Sequence, residues 1–390
     1  MANKLFESKW AATKEALLEG LTGSRRDSLG VVLENTRKHL TESASTGATG
    51  AGNIATLNKV MLPLIRRVMP TVIANEILGV QPMTGPVGQI HTLRVRYADT
   101  AAGVAAGTEA LGPFDIARAY AGNEDPAAPA AAGTATLEGQ PGNRLSIQIL
   151  KETVEAKSRK LSARWTFEAA QDASAVHGID IEAEIMQALA QEITVEIDQE
   201  MLNNLRVLAG PAPTTFDQSA VSGTATYVGD EHAALAIMIN QQSNLVAART
   251  RRGAANWAVV SPNTLTILQS ATTSSFARTT EGTFEAPTNT KLVGVLNGSM
   301  KVYVDQYAAD NTAVLLGYKG PTETDAAAFY CPYIPLMSTG PVMDPTTFEP
   351  VVSFMTRYGY QELSNTANSL GNAADYLSQV GIDTGTLSFF

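Results

Sequence analysis

Asp180-Ile-Glu-Ala-Glu-Ile-Met-Gln-Ala-Leu-Ala-Gln-Glu-Ile-Thr-Val-Glu-Ile-Asp-Gln-Glu-Met-Leu-Asn-Asn-Leu-Arg-Val-Leu208 is the most regular stretch of this chain. Ile181, Ile185, Leu189, Ile193, Ile197, Met201 and Leu205 recur at every fourth position, which predicts one helix of about eight turns. A step of four residues advances about 400°, so the apolar row winds around the helix axis. Over a length of about 45 Å such a row meets different neighbours, and we read the helix as a spine. Between Arg164 and Arg206 there is no Lys or Arg, whereas Glu168, Asp172, Asp180, Glu182, Glu184, Glu192, Glu196, Asp198 and Glu200 all fall there. Asp180, Glu182 and Glu184 suit the positive end of the helix dipole, Arg206 suits the negative end, and Gly210-Pro211 supplies a stop.

Working outward, Glu231 to Arg252 reads as a second helix with its cations at the C-terminal end. Trp257-Ala-Val-Val260 reads as a buried strand, and Ser261-Pro262 as a cap and first turn. Asn297-Gly298, between Lys291–Leu296 and Met300–Val304, is the strongest hairpin signal in the chain. On the other side of the spine, Gln89 to Tyr97 alternates as a strand, and Leu145 to Leu150 restarts one. The Ala-, Gly- and Pro-rich stretch from Ala98 to Asn143 between them suggests a loop reaching away from the body. Strands and helices segregate, which makes the fold class α+β. Residues 1–42 read as two amphipathic helices separated by Gly20 to Gly23, and Ser43 to Gly52 as a small-residue arm with nothing to bury.

The 390 residues are 44% hydrophobic, ample for a large core. Charged residues make up only 17%, below the roughly 25% of ordinary soluble chains, and weakly charged surfaces rich in small residues suit self-contact. A net charge of −10 argues against sequence-independent binding of nucleic acid, which needs an excess of Lys and Arg. The single cysteine, Cys331, excludes an intrachain disulfide. No apolar run is long enough to span a bilayer, and Lys4, Glu7, Lys9, Lys14 and Glu15 stand where a signal peptide needs an apolar core.

Chemistry is hard to place. His39, His91, His177 and His232 are not spaced as metal ligands, and Gly47 to Gly52 lacks the ending of a phosphate loop. No catalytic residue, cofactor or metal is expected. Glu192 and Glu196 share a face and would suit acid/base work, but nine carboxylates without a cation favour a docking surface. Asp383-Thr-Gly385 resembles the aspartic-protease triplet, whose two aspartates share one proton; no second triplet exists, so a second copy would have to supply it.

Several blocks resemble the major capsid proteins of T-even-like tailed bacteriophages, with the Hong Kong-97-type shell fold. They are Arg66-Arg67, Gly79-Val-Gln-Pro-Met83 with Gly85-Pro86 and Gly88-Gln89, Glu155-Ala-Lys-Ser-Arg159, Ala175-Val-His-Gly178, Val302-Tyr-Val-Asp-Gln-Tyr307, Gly317-Tyr-Lys-Gly-Pro321 and Thr356-Arg-Tyr-Gly359. The resemblance implies a helical segment at 1–42, an N-arm and entry to the peripheral domain at 43–89, an E-loop at 90–145 and a peripheral domain with its spine at 146–210. An axial domain at 211–330 and a return to the peripheral domain with a C-terminal tail at 331–390 complete it. The stretch Ala98 to Asn143 is too short for the inserted domain that some relatives carry.

The resemblance further implies a non-enzymatic subunit that assembles into hexamers and pentamers, forming an icosahedral head shell around phage DNA. The virion is its location, with assembly in the host cytoplasm. Implied partners are other copies of itself, a scaffolding protein, a prohead protease, a portal and decoration proteins, with no membrane and no sequence-specific nucleic acid. Leu40-Thr-Glu42, followed by Ser43, resembles the site where the protease removes the leading segment, in an accessible setting. Arg94, Arg96 and Arg118 on or near the E-loop are candidates to meet Glu192, Glu196 and Glu200 of a neighbour. Competing readings are an encapsulin-like compartment and a hydrolase using acidic residues.

Overall fold

The structure is a computed structural model that describes residues 10, 14, 15, 18, 23, 26–35, 73–101, 103–108, 110, 120–122, 131–139, 141–177, 180–217, 228–271, 276–278, 291–363 and 372–383. In chain order, α1 (Ala74–Ile77) leads into β1 (Gly79–Val80), and β2 (Val87–Tyr97) is followed, after a single-turn helix at Thr134–Leu137, by β3 (Leu145–Glu155) and β4 (Lys157–Arg164). Then come α2 (Phe167–His177), the spine helix α3 (Ile181–Ala209), β5 (Thr214–Asp217), α4 (Val228–Thr250), β6 (Trp257–Val260) and α5 (Pro262–Ser270). β7 (Phe276–Arg278), β8 (Lys291–Leu296), β9 (Met300–Val304), β10 (Val314–Gly317), β11 (Ala328–Ser338), β12 (Val342–Met343), β13 (Pro350–Glu362) and β14 (Leu377–Asp383) complete the order.

The strands form a five-stranded sheet in the order β1-β11-β13-β12, with β4 also on β13. A seven-stranded sheet runs β5-β14-β10-β6-β9-β8-β7, and β2 pairs β3 as a separate ribbon. The chain combines helices with sheets of mixed parallel and antiparallel pairing, consistent with an α+β class.

The spine begins where its cap allows. The Asp180 carboxylate accepts from the Glu182 amide at 3.0 Å and the Ala183 amide at 3.4 Å, satisfying donors that the first turn leaves free. It ends at Gly210, whose φ of +72° suits a residue without Cβ. Its early turns are half-open, but from Ile193 to Asp198 only Glu196 escapes full burial. The winding row therefore does meet different elements: α2 first, then β4, β13 and β14.

The second sheet is two-faced because side chains alternate along a strand. Trp257 and Val259 turn into the core shared with the spine, while Ala258 and Val260 turn into a second core with Phe216, Leu235, Ile239 and Val302. The hairpin signal corresponds to β8 and β9, joined through Asn297, Gly298 and Ser299, with φ +53° and +71° at the first two, the positive values that a primed turn needs. Ser261 caps α5 by accepting from the Thr264 amide.

One expectation needs adjustment: the helix expected at 231–252 starts at Val228 and stops at Thr250, because Arg251 takes φ +54°. Toward the end of the described residues, β11, β12 and β13 join the first sheet, whereas β14 inserts between β5 and β10 in the second. Burial explains the split, since Leu377 fills the spine-side core while Val380 and Ile382 fill the other. In the leading segment, residues 26–35 are helical and bury Leu29, Val32 and Leu33 in the spine-side core. The Asn35 amide donates to the carbonyls of Met83 and Tyr333.

Candidate assembly interface

The acidic side of the spine is a mixture of three environments. Glu196 and Glu200, one turn apart, both accept from Arg159 of β4, Glu196 at 2.6 Å. The Arg159 Nε donates to the Tyr358 hydroxyl at 2.6 Å, and that hydroxyl donates to Glu200. Antiparallel pairing sets up the clamp by placing Arg159 opposite Thr356 and Lys157 opposite Tyr358. Burial works against the charged form of Glu200, but the hydrogen bonds from Tyr358 and Arg159 outweigh it and hold its carboxyl below the usual range. Lys157, Ser158, Arg159, Glu200, Asn204, Tyr358 and Tyr360 line a cavity of about 290 Å³ beside the clamp.

Asp198 is the second environment. Periodicity places it with the acidic face, yet the residue is 1% exposed. The third is open: Glu168, Asp172, Glu184 and Glu192 are exposed and carry no ion pair among the described residues.

The ribbon supplies the other candidate surface. β2 and β3 pair without interruption from Val87 opposite Glu155 to Tyr97 opposite Leu145. Alternate residues of β3 share a face, and Leu145, Ile147 and Ile149 on one face are 58%, 68% and 66% exposed. Three successive apolar positions are thus open to water along one face of a two-stranded ribbon. The far end of the ribbon is stiffened by a small core of Tyr97, Val104, Ala110 and Tyr120. The Tyr120 hydroxyl donates to the Arg144 carbonyl at 2.7 Å, and Arg144 pairs with Asp99 at 2.9 Å. Those bonds from Arg144 hold the Asp99 carboxyl below its ordinary range.

The residues singled out by sequence thus fall into distinct places. Glu196 and Glu200 are satisfied by Arg159 of the same chain, whereas Glu192 is open. Arg96 lies on β2 opposite Ser146, and backbone register places Arg94 opposite Gln148. Arg118 and the cleavage residues Leu40, Glu42 and Ser43 lie outside the described residues. Asp383 ends β14 beside Asp217 of β5. Among the described residues no group of three or more His, Cys, Asp or Glu is placed to hold a metal ion, and no helix is long and apolar enough to cross a membrane.

Periodicity missed Arg159 and Tyr358, although both lie inside blocks quoted above. The structure gathers those blocks. A Cβ on Gly359 would lie 2.4 Å from Val154 Cγ1 and 3.4 Å from Met83 Cε; one on Gly317 would lie 2.1 Å from the Trp257 ring. Close packing therefore requires glycine at these positions.

The family described as major capsid protein Gp23 matches residues 54–139 and 125–382. The major capsid protein of Vibrio phage KVP40 is 30% identical, over 88% of this chain and 83% of its own. That of Enterobacteria phage T4 is 31% identical, over 79% and 76%. Among solved structures, the capsid of Myoviridae phage XM1 aligns over 80% of this chain and 92% of its own, at 10% identity and a TM-score of 0.46. A Microbacterium phage Oxtober96 chain aligns over 80% and 90%, at 11% identity and a TM-score of 0.46.

Proposed function

This chain belongs to the Gp23 major capsid protein family, and from that membership we infer its work: it is a major capsid protein of a tailed phage, copies of it form the head shell, and the virion is where it resides. The observation that carries this is the family match across residues 54–382.

Within that role, hexamers and pentamers are the assembling units, and scaffold, protease and portal are the partners during assembly. The subunit's task is contact rather than bond chemistry. The exposed row Leu145, Ile147 and Ile149 supports a ribbon that is covered by a neighbouring copy. Arg94, Arg96 and Arg118 are the residues we expect to meet a neighbour's spine. Glu192 is the acid available to them, since Glu196 and Glu200 are occupied by Arg159. Cleavage after Glu42 removes residues 1–42, and with them the helical residues Leu29, Val32 and Leu33 from the spine-side core. A net charge of −10 keeps the subunit from gripping DNA along its length.

Mass photometry of the full chain, expressed with its assembly partners, tests the reading. Five- or six-fold multiples of 41.2 kDa, or closed megadalton particles, are expected; a persistent monomer would sink it. Mass spectrometry of infectious particles tests the cleavage, and an intact leading segment there refutes it. Arg96→Glu should impair assembly while leaving the subunit's melting temperature unchanged; equal loss of both counts against the contact.

A further inference from the structure

Asp198 is a carboxyl placed in the middle of an apolar core. It follows Ile197 and precedes Met201 and Leu202 on the spine, residues that are all at most 2% exposed. Its Oδ1 accepts from the Ile73 amide at 2.8 Å, and its Oδ2 has no hydrogen-bond partner among the described residues. A carboxylate this poorly solvated is held as the neutral acid.

The bond to Ile73 gives that arrangement a task. Ile73 is the residue before α1, and its carbonyl in turn accepts from the amides of Glu76 and Ile77. Beyond α1, β1 adds to the edge of the first sheet, with Gly79 opposite Phe329 and Val80 opposite Tyr330. Ile73, Ala74, Ile77 and Leu78 are all at most 3% exposed, so the segment docks against the spine with Asp198 at its entry.

We propose that Asp198 is a proton-operated latch, whose neutral carboxyl fastens residues 73–80 to the spine and whose ionisation releases them. The inference stands apart from the shell reading and rests on the geometry of this one chain.

The surrounding charges favour a neutral latch. Asp305, at the end of β9, has a fully buried side chain and adds repulsion to any charge on Asp198. Asp305 has its own partners, Gln199 Nε2 at 2.7 Å, the Tyr307 amide at 3.1 Å and Arg206 at 3.3 Å. The spine's one nearby cation therefore serves the other carboxylate. From β11, the Tyr330 hydroxyl faces the same region and is itself pushed far up by burial. From α1, Glu76 pairs with Lys301 at 3.6 Å and accepts from Tyr303 at 3.5 Å. Burial first, and Asp305 second, raise Asp198 to about 8, against the bond from Ile73, which lowers it.

The sign follows from linkage. Released, Asp198 would ionise near its ordinary value of about 3.9; docked, it holds its proton to about 8. Opening therefore releases one proton and becomes about tenfold easier per pH unit between those values, then levels off.

Hydrogen–deuterium exchange of residues 73–80 in the full chain, corrected for intrinsic exchange and followed from pH 5 to 9, tests the latch. Wild-type protection should fall about tenfold per pH unit up to pH 8 and be flat above it. Asp198→Asn keeps an oxygen for the Ile73 amide but has no proton to lose, and its protection should not vary with pH. Asp305→Asn should move the wild-type plateau to higher protection. A flat wild-type profile overturns the proposal even if neither variant folds, and so does an Asp198→Asn profile that still falls with pH.

Discussion

Replacing Arg159 by alanine removes the one cation of the spine clamp and tests whether that clamp holds the spine to the first sheet. Arg159 is 31% exposed, Glu196 43% and Glu200 34%, so none of the three can be credited with the strength of a buried pair. The Glu196 contact belongs to the surface class and is worth up to about 1 kcal/mol. The bonds to Glu200 and Tyr358 are charge-assisted and half-sheltered, together worth about 1–2 kcal/mol after that discount. Loss of all three should lower unfolding stability by about 1–3 kcal/mol, with Arg159→Lys losing about half as much because a lysine cannot span three acceptors. Urea unfolding of the isolated subunit, with Glu200→Gln and the double variant completing a cycle, supplies the measurement. The Glu200 carboxyl is held below its ordinary range, so its contribution is present above the unfolded value of about 4.3 and is lost as pH falls through the folded one. The gap between wild type and variant should therefore narrow under acid. A gap under about 0.5 kcal/mol at pH 7, or one that widens on acidification, would refute the clamp.

Three further substitutions probe other parts of the argument. Gly317→Ala drives a methyl into the buried Trp257 ring, 2.1 Å away, and should cost about 1–3 kcal/mol by thermal unfolding; an unchanged melting temperature would mean that β6 and β10 pack less tightly than described. Ser261→Ala deletes the α5 cap and should cost about 1 kcal/mol in urea. Ile147→Lys changes a 68% exposed position, so it should leave subunit melting within about 0.5 kcal/mol while abolishing closed particles by electron microscopy; particles of normal yield would show that the ribbon face is not covered.

Local signals were legible wherever one short stretch carries the whole instruction. The four-residue repeat, the Asp180 and Ser261 caps and the Asn297-Gly298 turn each act within a few residues, and each stands where the sequence places it. What could not be read is what depends on chain segments meeting. Arg159 reaches Glu200 across 41 positions and Tyr358 reaches it across 158, and no periodicity encodes such distances. Asp198 misled for a related reason. A winding apolar row describes one side of a helix, whereas between Ile193 and Asp198 the spine is enclosed on nearly every side, so its second layer of neighbours decides which carboxylate is dry. The quoted blocks did contain Arg159, Tyr358, Asp305 and Gly359, but as a pattern without geometry.

The position of β14 bears on how the chain is made. Its Val380 pairs with Thr214 of β5, 166 positions earlier, on one side and with Val314 of β10 on the other, and contacts so distant in sequence slow folding. On the ribosome, β5 and β10 are both synthesised before the strand that must lie between them. Phe216, Val314 and Leu316 therefore wait with one wall of their core missing until Leu377–Asp383 has been synthesised. Truncation upstream of Leu377 should yield an insoluble product even though most of the second sheet is present.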